Sequence, residues 1–547
     1  LITNVALVWS CLERYNGEFG TARRTTGGGA SGARDAVGAC TSTLSGRAGG
    51  HALAGATMHC CQMRTLVAVS LLAAGASAAG GIVHIDLNRG SDRSSKADGS
   101  AQRPFRTLGG WAARGGATSG AAGIHFGPGM HDLVSAGGLK LDTAGDAAAP
   151  FTVTGEGPGL TQLSAGVQVH GFAERSVQGD GAGRAVRQWH ATMPANTTYF
   201  RQLFVRSSTS GNFSRRLTAR SETMTYDHTN MKNPQFAIVY KEGQVMASYH
   251  NQEDVLATLY HCWTATTHRI NNINASNSTL TLFQSPHVNI PRCEHASGKR
   301  FLIEDAREEL DEPGEFYYDR GTRELIYLPL PEENLADGKF EAWAPQLIAP
   351  ILVTANHVKL AGLSVLHAAA DMDGFFVGDC DGQSASNLHS GAVVLNGSSA
   401  SQVTVNNVEV AHTGGFGVVT RGAVRDVMLS RLHIHDVGAG GVSVEKPAET
   451  TDGSAVHNFS LVDSVIHDGG HVYKMGPGVM LQNCRGCAVD HNRIHDFFYT
   501  GVTTGIGFNS EMIRDTTLSF NEIHTLGQGQ LSDMGCVYVW GGNQSGL

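Results

Sequence analysis

Short apolar-alternating segments recur from about residue 350 to the C-terminus, each followed by Ile-His-Asp-x-Gly or a relative of it. In VTVNNVEV (403–410), valines alternate with polar residues, which is typical of a strand with one buried face. The copies read NNVEVAHTGG (406–415), SRLHIHDVGAGG (430–441), VDSVIHDGGH (462–471), HNRIHDFFYTG (491–501) and FNEIHTLGQG (520–529). Their histidines, His412, His435, His467, His495 and His524, are separated by 23, 32, 28 and 29 positions.

This period predicts a solenoid, because short strands with Gly-rich corners bury their apolar residues only by stacking on neighbouring copies. We predict an all-β fold: a right-handed parallel β-helix solenoid with an N-terminal cap and an inserted β-rich subdomain. A β-propeller needs blades of about 40 to 45 residues, which exceeds the observed spacing. A glycine after each His/Asp pair is expected to supply the positive φ of the corner. Stacking is expected to gather the five histidines on one face, and likewise Asp436, Asp468 and Asp496; a purely structural ladder remains the alternative.

The remaining segments differ in composition. Residues 1–57 are Gly/Ala/Arg/Ser-rich without hydrophobic periodicity and are interpreted as a disordered or non-native leader. Residues 58–79 contain a basic start, an apolar run and a small-residue cleavage site, which predicts a secretory signal peptide. Residues 80–184 are assigned to the N-terminal cap, with a helix after PFRTL (104–108), and to the first coils.

Residues 185–345 break the period, carry most of the aromatic residues and are predicted to form the inserted subdomain, whose aromatics are expected mainly in a packed core. A hairpin is predicted around the turn at 319–322. Residues 346–547 are assigned to the β-helix repeats, and their end in mid-repeat suggests truncation at the C-terminus.

Composition and charge restrict the classes of partner that the protein is expected to bind. The chain has 69 Gly, 16% charged residues and a net charge of -9 over 547 residues, without a basic stripe, which argues against nucleic acid. We expect a secreted, extracellular monomer that binds a polysaccharide or oligosaccharide, without cofactor and without membrane contact after signal cleavage. Cys484 and Cys487 are expected to pack together or form a local disulfide. Export is supported by N-x-S/T sequons at Asn196, Asn212, Asn274, Asn277, Asn396, Asn458 and Asn543.

Several motifs together resemble the β-helix proteins of glycoside hydrolase family 141. They are PFRTL, Arg201–Val205 followed by Ala219-Arg220, DEPGEFYYDRGTRELIYLPLP (311–331), RIHDFFYTGV (493–502) and LSDMGCVYVWG (531–541). The resemblance covers about residues 82–547 and implies a secreted enzyme acting on complex plant or algal polysaccharide, with fucosidase-like or xylanase-like activity. It also implies two catalytic aspartates, whose matching positions are Asp496 and Asp533. Cys536 stands where relatives tend to have Gly.

Glycoside hydrolysis uses one carboxylic acid and one carboxylate, so two stacked aspartates would suffice, although the sequence does not allot their roles. The predicted substrate-binding residues are His495, Tyr499, His524, His467, Asp468, His435 and Asp436. A polysaccharide lyase or uronate epimerase is an alternative, but the repeats have few Lys or Arg beside the histidines to stabilise an enolate. A non-catalytic carbohydrate-binding solenoid is the other alternative. No compact metal motif is present, and zinc on His467 and His471 is the weakest alternative.

Overall fold

A computed structural model describes residues 80–93, 95–177, 186–229, 236–261, 263–284, 290, 298–371, 382–445, 455–505 and 513–540. The predicted leader and signal peptide lie outside these residues, as does the sequon at Asn543. Within the described ranges, no helix is both long and apolar enough to cross a membrane.

The described part of the chain begins with six strands, the first two of which are separated by a short helix. Thr107 caps the helix, because its side-chain oxygen accepts a hydrogen bond from the Gly110 amide, and the helix buries Leu108 and Trp111. The helix expected after PFRTL is therefore present. The elements are β1 (Ile82–Ile85), α1 (Leu108–Ala112), β2 (Gly123–Phe126), β3 (Gly129–Asp132), β4 (Leu139–Leu141), β5 (Phe151–Thr154) and β6 (Thr161–Ser164).

Fifteen strands of mostly antiparallel pairing follow and form an eight-stranded and a seven-stranded sheet. We call this region the insertion; its pairing starts at Gly166, within the segment that the sequence assigns to the first coils. Its strands are β7 (Gly166–Val169), β8 (Ala173–Val177), β9 (Val186–Thr192), β10 (Leu203–Arg206), β11 (Ser214–Thr218), β12 (Met224–Thr225), β13 (His228–Thr229), β14 (Ala237–Val239), β15 (Leu256–Tyr260), β16 (Ala265–Asn274), β17 (Thr279–Leu282), β18 (Arg300–Glu304), β19 (Glu315–Asp319), β20 (Glu324–Tyr327) and β21 (Glu341–Pro345).

Two features of the insertion agree with the sequence prediction. The strands β19 and β20 pair antiparallel around the expected turn, which confirms the hairpin. Many of its aromatic side chains, including Trp189, Phe316 and Tyr327, are buried in a packed core.

The last nineteen strands form stacked coils. They are β22 (Ile351–Val353), β23 (Val358–Leu366), β24 (Gly391–Asn396), β25 (Val403–Thr413), β26 (Phe416–Arg421), β27 (Arg425–Ser430), β28 (His433–Val437), β29 (Val442–Val444), β30 (Val456–Val462), β31 (Val465–Gly469), β32 (Val479–Leu481), β33 (Cys484–Arg485), β34 (Ala488–Asp490), β35 (Arg493–Phe497), β36 (Val502–Thr504), β37 (Ile513–Arg514), β38 (Thr517–Ser519), β39 (Glu522–Leu526) and β40 (Val537–Val539).

With β1 to β6, these strands build a 17-stranded and an 8-stranded sheet in which paired strands of the described residues run parallel. Each coil contributes to both sheets, and its apolar residues point into a continuous core. Ile434, Ile466, Ile494 and Ile523 pair in sequence at one inward position, and the first three are fully buried. Cys484 and Cys487 form a disulfide, as the sequence allowed.

The pairing register of the strands corrects the alignment that the sequence suggested for one of the repeats. His435, His467, His495 and His524 pair in one column on the outer face, but the residue that pairs with His435 on the preceding coil is Ala411. Placing His412 in this column was therefore wrong. Val410 occupies the inward position that Ile434 holds one coil later, and a shift of one residue moves a side chain to the other face.

The next position along each coil forms the corner between the two sheets. We call His367, His412, Asp436, Asp468 and Asp496 the corner column, because the register aligns them and all have φ between 46° and 63°. The expectation that glycines supply this conformation was wrong for most coils, since Asp and His also tolerate left-handed backbone better than most residues do.

The glycine two residues after Asp436 is needed for a different reason. Gly438 has no positive φ, but a Cβ there would lie 2.1 Å from the carbonyl oxygen of Gly414 on the preceding coil. This glycine therefore allows two coils to approach each other closely at the corner.

Candidate functional site

The insertion covers the first part of the corner column. His367 stacks on Trp343, with ring centroids 5.3 Å apart, and its ring centroid lies 5.4 Å from that of Phe204. One coil later, Phe204 also contacts His412 at 5.3 Å. These histidines are buried and therefore do not face a ligand in solvent.

The third member of the corner column, Asp436, is held in a buried ion pair. Arg215 on β11 donates from Nε to Oδ1 of Asp436 at 2.6 Å, and both side chains are only 9% exposed. His412 Nδ1 lies 2.6 Å from the other carboxylate oxygen. Burial acts to raise the pKa of Asp436, but Arg215 and His412 outweigh it and hold the pKa well below its usual value. The structure therefore assigns this predicted substrate ligand to the contact between insertion and coils.

Beyond the edge of the insertion, the corner column becomes accessible. The side chains of Asp468 and Asp496 are 50% and 42% exposed. Nε2 of His471 lies 2.9 Å from Oδ1 of Asp468, and Nδ1 of His495 lies 2.6 Å from Oδ2 of Asp496. Each accessible carboxylate thus has an imidazole partner from its own coil.

Asp533 lies at the same corner as Asp496, one coil further along. It belongs to the turn between β39 and β40, whereas Asp496 is the penultimate residue of β35 and precedes the turn to β36. The Tyr499 hydroxyl donates to the main-chain carbonyl of Asp533 at 2.9 Å and so connects the two turns. The Asp533 residue is exposed, and the Tyr538 hydroxyl donates to its carboxylate at 3.2 Å.

Tyr499, a predicted substrate ligand, is fully buried. Besides donating to Asp533, its hydroxyl accepts a hydrogen bond from Nε2 of Gln383 at 2.9 Å. Its contact with a sugar would therefore be indirect, through the position of the turn that carries Asp533.

The four histidines of the outer column form a continuous stack beside the corner. The ring centroids of His435 and His467 are 5.4 Å apart, and those of His467, His495 and His524 follow at intervals of 4.8 Å with nearly parallel planes. Burial and the neighbouring imidazoles lower the pKa of His467 to about 4, which keeps this ring neutral near pH 7. The stack can therefore accept or donate hydrogen bonds without accumulating charge at that position.

A small cleft opens between the insertion and the coils at His471, the partner of Asp468. It is lined by five cationic side chains, Arg201, Arg215, Arg216, Arg220 and Lys474, together with Glu304 and His471. Burial lowers the pKa of Lys474 to about 8, although Glu304 acts in the opposite direction.

Two clusters bring together side chains that metals use as ligands. His433, His435 and His467 form one cluster, and Asp436, Asp468 and His471 form the other; within each, the ligand atoms lie within 4.8 Å of one another. His467 and His471, paired in the sequence-based zinc alternative, fall into different clusters. The first cluster is the better match to zinc, because imidazole nitrogen is among its preferred ligands.

Sequence reasoning missed Arg215, Lys474 and Tyr538. Arg215 lies in the non-periodic insertion, so no repeat pointed to its position next to Asp436. Lys474 follows one of the repeated motifs, but it is a single residue in the loop between β31 and β32, and the length of this connection varies from coil to coil. Arg220 belongs to a segment that carried the family resemblance, which was the available signal for this cleft.

No family model matches the chain, and comparison with curated proteins finds no match either. Among solved structures, one described as a glycoside hydrolase is similar over 84% of this chain and 86% of that chain, with a TM-score of 0.65 and 16% identity. Weaker likenesses include a xylose complex of XylC (10% identity, 80% and 62% covered, TM-score 0.38) and a GH136 lacto-N-biosidase from Eubacterium ramulus (10%, 86% and 68%, TM-score 0.29). At 16% identity, the first likeness shows a shared fold.

Proposed function

We propose that this chain is a secreted glycoside hydrolase related to family 141, in which Asp496 and Asp533 act on plant or algal cell-wall polysaccharide. The observation that carries the proposal is the position of two solvent-accessible aspartates at one corner of consecutive coils, connected through Tyr499. One would protonate the glycosidic oxygen, and the other would attack the sugar or activate water. The fold shared with a glycoside hydrolase supports this assignment.

The neighbouring residues suit this chemistry. The hydrogen bond from His495 orients the Asp496 carboxylate, and Tyr538 does the same for Asp533. The outward histidines His467 and His524 stack on either side of His495 and continue the same face. Fucosidase-like or xylanase-like specificity remains part of the proposal.

The test compares Asp496→Asn and Asp533→Asn with the wild-type chain on nitrophenyl glycosides, including fucoside and xyloside, and on cell-wall polysaccharides, by release of nitrophenol or reducing ends. Each substitution should lower kcat by roughly 10² to 10⁴, because it removes an acid or base. Asp463→Asn is a matched control: Asp463 is also exposed with φ of 51°, but it lies before β31 at a different corner. Unchanged hydrolysis in a folded Asp533→Asn protein would falsify the assignment.

The handedness and location of the protein belong to the same proposal. Crossovers between parallel strands of one sheet are right-handed in about 98% of cases, which favours a right-handed β-helix. The six sequon asparagines within the described ranges are exposed, as N-glycan acceptors must be; they are Asn196, Asn212, Asn274, Asn277, Asn396 and Asn458.

Expression in a secreting eukaryotic cell should give a monomer in the medium whose mass falls on treatment with peptide N-glycosidase. Retention inside the cell without glycan would contradict the secretion proposal. Light scattering on the secreted protein tests the monomer.

A polysaccharide lyase or uronate epimerase is a second candidate, and the cleft favours it. The insertion contributes Arg215 and the loop between β31 and β32 contributes Lys474 to the cleft at His471, so cations lie beside the repeats that carry few of their own. A lyase product carries a new double bond and absorbs in the ultraviolet, whereas a hydrolase product does not. Ultraviolet absorbance appearing with the reducing ends would therefore favour the lyase.

A further inference from the structure

The cleft between the insertion and the coils has an unusual balance of charge. Five cationic side chains line it, while Glu304 is the one carboxylate in its described lining. Most of the balancing carboxylates lie behind the lining: Arg201 pairs with Asp305 at 2.5 Å, and Arg216 pairs with Glu333 at 2.5 Å. The open side of the cleft therefore presents donors rather than acceptors.

One of these donors lacks a partner. Arg215 uses Nε and Nη2 on Asp436 and on main-chain carbonyl oxygens, but its Nη1 has no hydrogen-bond partner among the described residues. The side chain is 9% exposed, so protein surrounds most of this guanidinium. A buried guanidinium N–H without an acceptor is unfavourable, so the donors around the cleft outnumber the acceptors that the protein supplies to them.

Lys474 connects the cleft with the candidate aspartates. Its ammonium group donates to the carbonyl oxygen of His471 at 3.2 Å and lies 4.9 Å from the ring centroid of Phe498, two residues after Asp496. An ammonium group has three donors, so it can bind further oxygens.

We propose that this cleft is a subsite for an anionic sugar residue, whose carboxylate or sulfate ester contacts Arg215, Arg220 and Lys474. The inference rests on the proposed carbohydrate function and specifies an acidic glycan as the substrate class. Arginine suits either anion, because its planar donors match paired oxygens, and lysine adds a point charge.

The test measures binding of three oligosaccharides to the full 547-residue chain by isothermal titration calorimetry: tetragalacturonate, a sulfated galactan tetrasaccharide and neutral galactotetraose. The wild type should bind an acidic oligosaccharide more tightly than the neutral one. Comparison of the two acidic oligosaccharides shows whether the cleft binds a carboxylate or a sulfate ester. Lys474→Gln and Arg220→Gln should each weaken acidic binding roughly tenfold and leave neutral binding unchanged. Lys359→Gln, which changes an exposed lysine on β23, is the matched control and should bind as the wild type does.

Two separate cleft variants are used, so that a folding defect in one leaves the other informative. Equal binding of acidic and neutral ligands by the wild type overturns the proposal, as does wild-type affinity in both folded cleft variants. Hydrolysis without acidic preference would reject this subsite alone. Acidic preference that both variants lose, without any hydrolysis, would reject the hydrolase and retain the subsite.

Discussion

The ion pair between Arg215 and Asp436 should be one of the strongest single links between the insertion and the coils. Arg215→Leu removes the hydrogen bond of 2.6 Å to the carboxylate and two hydrogen bonds, of 2.8 and 2.9 Å, to the carbonyl oxygens of Thr413 and Asp436. Because both side chains are 9% exposed, the substitution leaves a buried carboxylate with two imidazoles as partners, His412 at 2.6 Å and His471 at 3.7 Å. Breaking a buried pair from one side costs about 3 to 5 kcal/mol, and we expect this loss in the free energy of unfolding at pH 7.

The pH dependence gives a second readout with a definite sign. In the wild type, the pKa of Asp436 is depressed, so its contribution to stability is present above the unfolded pKa of about 4 and is lost as the pH falls further. In Arg215→Leu, burial dominates and raises the pKa of Asp436, so the Asp436 carboxyl group takes up a proton on mild acidification. The difference in unfolding free energy between the two proteins should therefore shrink as the pH falls from 7 to about 4.

Urea unfolding followed by tryptophan fluorescence measures both effects. Arg206→Leu is the matched control within the insertion, because Arg206 pairs with Glu341 at 2.9 Å but the two side chains are about one-third exposed; its cost should be below about 1 kcal/mol. The double variant Arg215→Leu/Asp436→Asn should recover much of the loss, since both charges are gone. If Arg215→Leu costs no more than Arg206→Leu, the reasoning about this contact is wrong.

Two further predictions concern the coils and the insertion. Gly438→Ala should sharply lower the thermal unfolding temperature measured by calorimetry, because the added Cβ would lie 2.1 Å from a carbonyl oxygen. Gly535→Ala is the control and should have little effect, because the nearest atom to its added Cβ is 3.4 Å away. Equal shifts of the unfolding temperature in the two variants would contradict the close-approach argument. Burial lowers the pKa of His261 to about 3 and of His268 to about 4. As the pH falls below about 6.5, these histidines take up protons in the unfolded state but not yet in the folded state, so the free energy of unfolding decreases. His268→Gln should reduce this loss between pH 7 and 5 by about 2 kcal/mol in urea unfolding, and an unchanged pH profile would reject the buried neutral state.

The coils could be predicted because the same sequence motif recurs in each of them at a regular spacing. Ile434, Ile466 and Ile494 repeat with the same inward position, and the histidine after each one follows outward by the alternation of a strand. The alignment failed at His412, where the motif has Ala411 in place of the outward histidine; the inward valine, rather than the histidine, marks the register. The burial of apolar side chains determines how the coils stack, and the positions of the polar residues are a consequence of that stacking.

The cationic cleft was not predictable in the same way. Arg215 contacts Asp436 across 221 positions of sequence, and its neighbours in the insertion form no repeat that would fix its direction. Lys474 similarly depends on how a single loop folds back beneath the insertion. Contacts of this kind require the relative position of two sheets, which neither periodicity nor composition contains.

The division of charge between coils and insertion bears on where chemistry can occur. Successive coils are about 4.8 Å apart, so carboxylates at Asp436, Asp468 and Asp496 would repel one another if all remained unpaired. The insertion neutralises Asp436 with Arg215, but the carboxylates of Asp468 and Asp496 extend beyond its edge and depend on imidazoles of their own coils. An arginine keeps its partner ionised throughout the physiological range. The corner column is therefore fixed where the insertion covers it and is accessible to a ligand where the coils open to solvent.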